Sequence, residues 1–351
     1  MVELPELMEQ ANKVYLTNFP NTTNFERAVF FSWGCKLKDC KFCYMSIQPI
    51  NEANTEDSIN SDKIKRRTTE SLMAETLIIK KLGWDFGFLS GGMGAYTTDC
   101  FLDLVKKIYI VLGEKIWINV GPLKKDELIQ LQPYIKGVVG SIETVNKNVH
   151  DFVCPSKPVE PYLEMFEYAT EFRLKKAITI ILGLGETEDD FPELKDLIQK
   201  YSIEKIHFYG LNPHKGTVFE VFKAPSRHYQ AWWISKTRIA FPKIDIQMGI
   251  WEDREYRVAY LLNAGANSIS KYPALKLFGT ANALELEEQC KIANRKLIST
   301  LTKLPDIDWN KEVDGLDLDK ELKEKIKTKL HLYLNKIMTN VKTGGKIETK
   351  L

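Results

Sequence analysis

The sequence predicts an α/β fold, a (β/α)8 TIM-type barrel with N- and C-terminal helical additions. Two observations carry this reading. Eight short, apolar, β-rich runs recur along the chain, and amphipathic stretches lie between consecutive runs, with apolar residues three and four positions apart, as in Phe101, Val105, Ile108 and Leu112. Strands alternating with helices make a parallel sheet with crossover connections, and eight of them favour closing that sheet into a barrel. At 351 residues the chain could hold two domains of roughly 150 residues, but the strand and helix count assigns most of it to one unit.

Taken in order, residues 1–27 read as a helical cap with a connection over one barrel end. Strands are expected at 28–33, 86–90, 116–120, 138–143, 177–182, 205–210, 244–249 and 266–269. Helices are expected at 62–81, 99–112, 124–132, 161–173, 188–200, 228–240 and 254–263, which gives a barrel over 28–280. Residues 281–351 form a C-terminal helical extension, including a charged helix near 319–339. The Asn-rich stretch 46–60 reads as a mobile loop, and the last dozen residues, with Thr343-Gly344-Gly345-Lys346, as loosely ordered.

Composition narrows the functional classes. The 49 Lys+Arg nearly balance the 47 Asp+Glu, for a net charge of +2, which is unlike the basic signature of a nucleic-acid binder. Hydrophobic residues at 44% and charged residues at 27% suit a soluble globular chain. No window of 18 apolar residues offers a membrane span. The start, Met1-Val2-Glu3-Leu4-Pro5, lacks the basic and apolar regions of a signal peptide. The expected setting is therefore a reducing cytoplasm, where clustered cysteines serve metals or redox chemistry rather than disulfides.

Three of the six cysteines fall together, in Cys35-Lys-Leu-Lys-Asp-Cys40-Lys-Phe-Cys43, directly after the first predicted strand. In such a barrel the C-terminal strand ends carry the active site. Three thiolates can hold three irons of a [4Fe–4S] cluster and leave the fourth iron open. An open iron can be chelated by the amino and carboxylate groups of S-adenosylmethionine, which sets its sulfonium beside the cluster for reductive cleavage. Structural zinc normally takes four N/S ligands. His150 and Cys154 are more than a hundred residues away in sequence, so zinc stays open as an alternative only through such a distant ligand.

These residues make the chain resemble a radical S-adenosylmethionine enzyme, over roughly residues 28–290. The usual family motif has three residues between its first two cysteines and two between the second and third; this chain has four in the first gap, while Phe42 matches the aromatic residue before the third cysteine. Ser90-Gly91-Gly92-Met93 resembles the family's Gly-Gly-Glu segment, which holds the amino group of S-adenosylmethionine through backbone carbonyls, with Met93 in place of the acid. Ser141-Ile142-Glu143-Thr144-Val145-Asn146 resembles a segment of the maturase HydE in which the Glu contacts the cofactor. The segment from Gly183 to Asp189 is similar to one in biotin synthase, as are 212–217 and 265–267.

The resemblance implies that Cys35, Cys40 and Cys43 are the metal ligands. It implies that Phe42, Ser90, Gly91, Gly92, Asn119, Glu143, Arg173 and Gly183 contact the cofactor. It also makes Glu143, Arg173 and Tyr209 the candidates for catalytic roles. The cofactors implied are a [4Fe–4S] cluster and S-adenosylmethionine. The partners implied are a small-molecule substrate and an external one-electron reductant of ferredoxin or flavodoxin type, with no nucleic acid and no membrane. The longer cysteine gap and the Glu143 segment resemble the branch that takes part in building the iron-guanylylpyridinol cofactor of [Fe]-hydrogenase. Sulfur insertion, as in biotin or lipoyl synthase, and a non-catalytic scaffold that carries a cluster or precursor are the alternatives.

Other residues read less specifically. Arg173 could reach a cofactor carboxylate or end a surface helix. His207 reads as a core residue, with Tyr209 on the same strand face, while His214, Gln247 and Trp251 could line a pocket. At least one of Trp232 and Trp233 should be packing. Cys100, Cys154 and Cys290 share no short spacing and are expected to be buried thiols, with Cys154 the one nearest the active-site face.

Overall fold

The computed structural model describes residues 3–47 and 66–343. Among them, eight parallel strands close into a barrel: β1 (Thr22–Phe30), β2 (Asp85–Ser90), β3 (Ile116–Asn119), β4 (Ile135–Glu143), β5 (Lys175–Leu182), β6 (Lys205–Gly210), β7 (Asp245–Gly249) and β8 (Ser268–Ser270). Each strand pairs with the next, and β1 pairs with both β8 and β2, which closes the ring. A short β9 (Lys296–Leu297) runs parallel beside the first residues of β1. Every strand is followed by a helical crossover, so all C-terminal strand ends open at one mouth.

Side chains alternate across this sheet with the period of a strand. On β6, Ile206 and Phe208 join the large core between barrel and helices, whereas Tyr209 packs inside with Ala28, Phe88, Trp117, Val139 and Ala177. On β7, Ile246 and Met248 likewise face the helices. The interior below the mouth is ionic. Lys205 donates to Glu26 at 2.6 Å and to Asp245 at 2.8 Å, and Gln247 and Ser268 also donate to the Glu26 carboxylate. Tyr209 Oη and Ser270 Oγ donate to Gln247 Oε1 at 2.9 and 2.7 Å, so the network rises through the barrel. His207 is buried within it, its Nδ1 donating to the Ile178 carbonyl at 3.0 Å.

A second buried carboxylate ties the outer shell together. Glu75, on the helix Thr69–Lys81, accepts from Arg27 Nε of β1 at 2.7 Å and from Arg67. Arg67 also donates to Tyr333 Oη at 3.1 Å, which anchors the long C-terminal helix Lys320–Thr343 to the barrel. Among the described residues, no helix is long and apolar enough to cross a membrane.

The strands differ from the expected ones at their edges. β1 begins at Thr22 rather than 28 because its polar residues are sheet residues with partners: Thr23 Oγ1 donates to the Asn267 carbonyl at 2.9 Å, and Glu26 faces the interior. β8 spans Ser268–Ser270 rather than 266–269. The β4–β5 connection holds two helices, Lys147–Val153 and Glu160–Glu171, where one was expected. The expected helix 254–263 opens as a 3-10 turn, Glu255–Arg257, before Val258–Asn263. The expected loop 46–60 lies outside the described residues except for its first two positions, as do 62–65 of the expected helix and the terminal residues from 344 onward.

Burial raises the pKa of Glu26 and of Glu75, but their cationic partners outweigh it and hold both below the ordinary value of 4.5. A depressed carboxylate stabilises the fold fully above that ordinary value and loses its contribution as pH falls through the lower folded-state value. Stability measured by urea unfolding is therefore expected to fall as pH drops below about 4.5, and less steeply in Glu75→Gln. Glu26→Ala leaves Lys205 buried with one partner and should cost about 3–5 kcal/mol at pH 7; a cost below about 1 kcal/mol, the scale of an exposed pair, would contradict the buried-pair reading.

Candidate active site

The site grows from the loop that follows β1. Cys35, Cys40 and Cys43 are half-buried and line one cavity of about 210 Å³ at the barrel mouth. The loop is tied down on both sides. Lys36 N donates to the Met93 carbonyl at 3.0 Å on the β2 side, and Lys41 N donates to the Val153 carbonyl at 2.9 Å on the β4 side. Its own turn is closed by Cys43 N donating to the Cys40 carbonyl at 3.0 Å.

Gly91 and Gly92 make this packing possible. A Cβ on Gly92 would sit 1.8 Å from the Gly34 carbonyl oxygen and 2.7 Å from Cys35 Cα, and one on Gly91 would sit 2.4 Å from the Phe31 ring. Only residues without a side chain let the two loops touch. The β2 loop thus seats the cysteine loop directly.

The remaining walls are polar strand ends. Ser90, Asn119, Ser141, Glu143 and Thr179 line the same cavity, from β2, β3, β4 and β5. Ser141 Oγ donates to Asn119 Oδ1 at 2.8 Å. Glu143 ends β4 with φ 65°, a left-handed backbone that a non-glycine residue rarely adopts. Its carboxylate is held by Lys157 Nζ at 2.5 Å, with both side chains buried, and Thr179 Oγ1 lies 3.4 Å from the other oxygen. Burial opposes the charge on Lys157, but Glu143 outweighs it and holds the lysine well above its ordinary value.

A fourth thiol stands close. Cys154 is buried in the same packed cluster as Cys40, and the interaction between the two thiols holds Cys40 below its ordinary value and pushes Cys154 up. Cys43 is pushed up to about 11 by burial. Among the described residues, no three or more His, Cys, Asp or Glu gather tightly enough to hold a single metal ion. The three loop thiols are instead spread around one cavity. One thiol per iron corner is the arrangement a cubane takes, so this donor set fits a [4Fe–4S] cluster.

The structure does not bring every predicted residue here. Phe42, Ser90, Gly91, Asn119, Glu143 and Tyr209 line the cavity with the cysteines, and Gly92 packs behind their loop. Gly183 does not line it. Its N–H donates to Glu186 Oε1 at 2.6 Å in a turn that this carboxylate gathers, with φ 97° at the glycine. Arg173 corrects the expectation of a cofactor contact: it is exposed and lies just before β5, at the N-terminal end of the strands, opposite the mouth. Cys100 corrects another, since it is exposed rather than buried; Cys290 is buried in the helix Ala281–Ile292. Trp233 is core, His214 and Trp251 line a neighbouring cavity, and Gln247 belongs to the interior network. Lys157 and Lys271 were missed. Lys157 could have been found as a charge just beyond Cys154, and Lys271 as the charge just past the last strand.

Comparisons with known proteins bear on the family and the fold. The model of the Radical SAM superfamily matches residues 29–198. An uncharacterized protein of Methanocaldococcus jannaschii is 36% identical, covering 98% of each chain. Biotin synthase of Clostridium perfringens is 25% identical over 219 residues, 61% of this chain and 66% of that one. The crystal structure of methylornithine synthase (PylB) superposes with a TM-score of 0.70 at 22% identity, over 84% of this chain and 89% of that one, and so shares the fold.

Gly92→Ala should push the cysteine loop off its seat. The expected outcome is a several-fold drop in iron bound per chain after anaerobic reconstitution, with an unchanged circular dichroism spectrum. Wild-type iron content in that variant would contradict the close-approach argument.

Proposed function

From the premise that the chain belongs to the Radical SAM superfamily, whose members use a [4Fe–4S] cluster and S-adenosylmethionine, we propose that it generates a 5′-deoxyadenosyl radical to act on a small substrate. The observation that carries the proposal is the convergence of Cys35, Cys40 and Cys43 with Gly91, Asn119 and Glu143 on one cavity at the barrel mouth. When bound, the cluster would pass one electron from an external ferredoxin- or flavodoxin-type donor to S-adenosylmethionine, whose C–S homolysis leaves methionine and a radical that takes hydrogen from the substrate.

The chain's own residues supply position and shelter. Three thiolates would hold three irons and leave one open to the amino and carboxylate groups of S-adenosylmethionine. The Gly91-Gly92 backbone offers carbonyls at close range because no side chain intervenes. Ser141 orients the Asn119 amide, and Lys157 fixes the Glu143 carboxylate, so these acceptors are set before any ligand arrives. Phe30, Phe42, Ile181 and Tyr209 wall the neighbouring space and would keep water from a reactive radical.

Within the family, we place the chain with the HmdB-like branch that helps build the iron-guanylylpyridinol cofactor of [Fe]-hydrogenase. The four-residue first cysteine gap and the Glu143 segment support this placement. Identity to biotin synthase favours sulfur insertion as the second reading; that chemistry needs a sacrificial sulfur source, usually a second cluster.

Anaerobic reconstitution tests both. The expected result is about four irons per chain, reductant-dependent 5′-deoxyadenosine from wild type, and none from Cys35→Ala, Cys40→Ala or Cys43→Ala. About eight irons per chain would favour sulfur insertion, and absence of 5′-deoxyadenosine from a reconstituted wild type would overturn the enzyme reading.

A further inference from the structure

A second cavity of about 340 Å³ adjoins the first, and the two share Phe30, Phe42, Cys43, Ile181, Tyr209 and Lys271 among their walls. Its lining is largely apolar, with Trp33, Leu211 and Trp251 added. It carries two cations. Arg27 is already paired, its Nε bonded to Glu75 at 2.7 Å.

Lys271 is not paired. It follows β8 immediately, with φ 65°, so the chain turns sharply to bring the side chain over the mouth. Its ammonium lies 4.5 Å from the ring centre of Tyr209, 5.1 Å from Phe30, 5.7 Å from Phe88 and 5.9 Å from Trp251. Among the described residues it has no carboxylate partner and no hydrogen-bond acceptor. Ring faces stabilise a cation, but they do not take the place of the anion its N–H donors can bond. Of the three buried lysines among the described residues, Lys157 has Glu143 and Lys205 has Glu26 and Asp245, while Lys176 donates to the Thr170 hydroxyl at 2.8 Å. Burial pushes the Lys271 ammonium down to about 8, the cost an arriving anion would offset.

We propose that Lys271 anchors the substrate, and that the substrate is a small organic carboxylate with a largely apolar body. The carboxylate would meet the ammonium at the junction of the two cavities, and the body would lie against Phe30, Trp33, Leu211 and Trp251. That placement sets the substrate beside the cavity of the cysteines. The inference rests on the radical reading of the site for the identity of this cavity as the substrate's, but the anion preference is measured without turnover.

The test is equilibrium dialysis of the reconstituted protein, with S-adenosylmethionine bound, against radiolabelled benzoate, its neutral counterpart benzamide, and acetate. Benzoate should bind about tenfold or more tightly than benzamide, the scale of one hydrogen-bonded charge, and more tightly than acetate, which lacks the body. Lys271→Arg should keep the preference and Lys271→Met should lose it. Equal binding of benzoate and benzamide, no binding of benzoate, or a preference that survives in Lys271→Met would overturn the proposal. So would a preference seen only without S-adenosylmethionine, because that molecule's own carboxylate would then be the occupant. Formation of 5′-deoxyadenosine by the same wild-type preparation separates the two ideas. That product without a benzoate preference sinks the anchor alone, and the preference without that product sinks the radical reading alone.

Discussion

The backbone contact between Gly92 and the Gly34-Cys35 peptide is the constraint on which the site depends. A loop bearing three cysteines has no intrinsic reason to stay open around a cavity; free, it would collapse or wander. Here it is pressed against the β2 loop so closely that a single methyl group would overlap the Gly34 carbonyl oxygen. Hydrogen bonds from Lys36 and Lys41 fix the loop to the β2 side and the β4 side in turn. The cysteines are therefore placed by the barrel, and the barrel's topology delivers the polar ends of β2 to β5 to the same mouth.

Below the mouth, the barrel interior carries charge where aliphatic packing is usual. Glu26, Lys205, Asp245, Gln247 and Ser268 form a floor in which the Glu26 carboxylate accepts from three side chains. Such a floor is costly unless fully satisfied, and it leaves little freedom to repack. It supports Tyr209 through Gln247, and Tyr209 in turn supports one side of Lys271. Polar order thus runs from the barrel floor to the ring-lined junction of the two cavities.

Much of this was legible in the sequence. Eight apolar runs located the eight strands, because strands buried on both faces read as continuous hydrophobic stretches. The cysteine spacing and Ser90-Gly91-Gly92 located the centre of the site, because three close thiols and a pair of adjacent glycines both stand out locally in the sequence. What was missed was polar. Glu26 and Lys205 sit at strand positions where a charge reads as a loop or a surface, and only ring closure shows that they face each other. Lys157 and Lys271 gain meaning from residues far away in sequence. Arg173 misled because a charged helix end near a strand looks the same at either barrel face; the direction of the following strand puts it on the far one.

The central claim is that three loop thiolates leave one iron open at this mouth. Electron paramagnetic resonance of the reconstituted, chemically reduced protein tests it most directly. The account predicts a reduced-cluster signal whose g values shift when S-adenosylmethionine is added, and no such signal in Cys40→Ala. A signal unmoved by S-adenosylmethionine, or one that persists in Cys40→Ala, would contradict it.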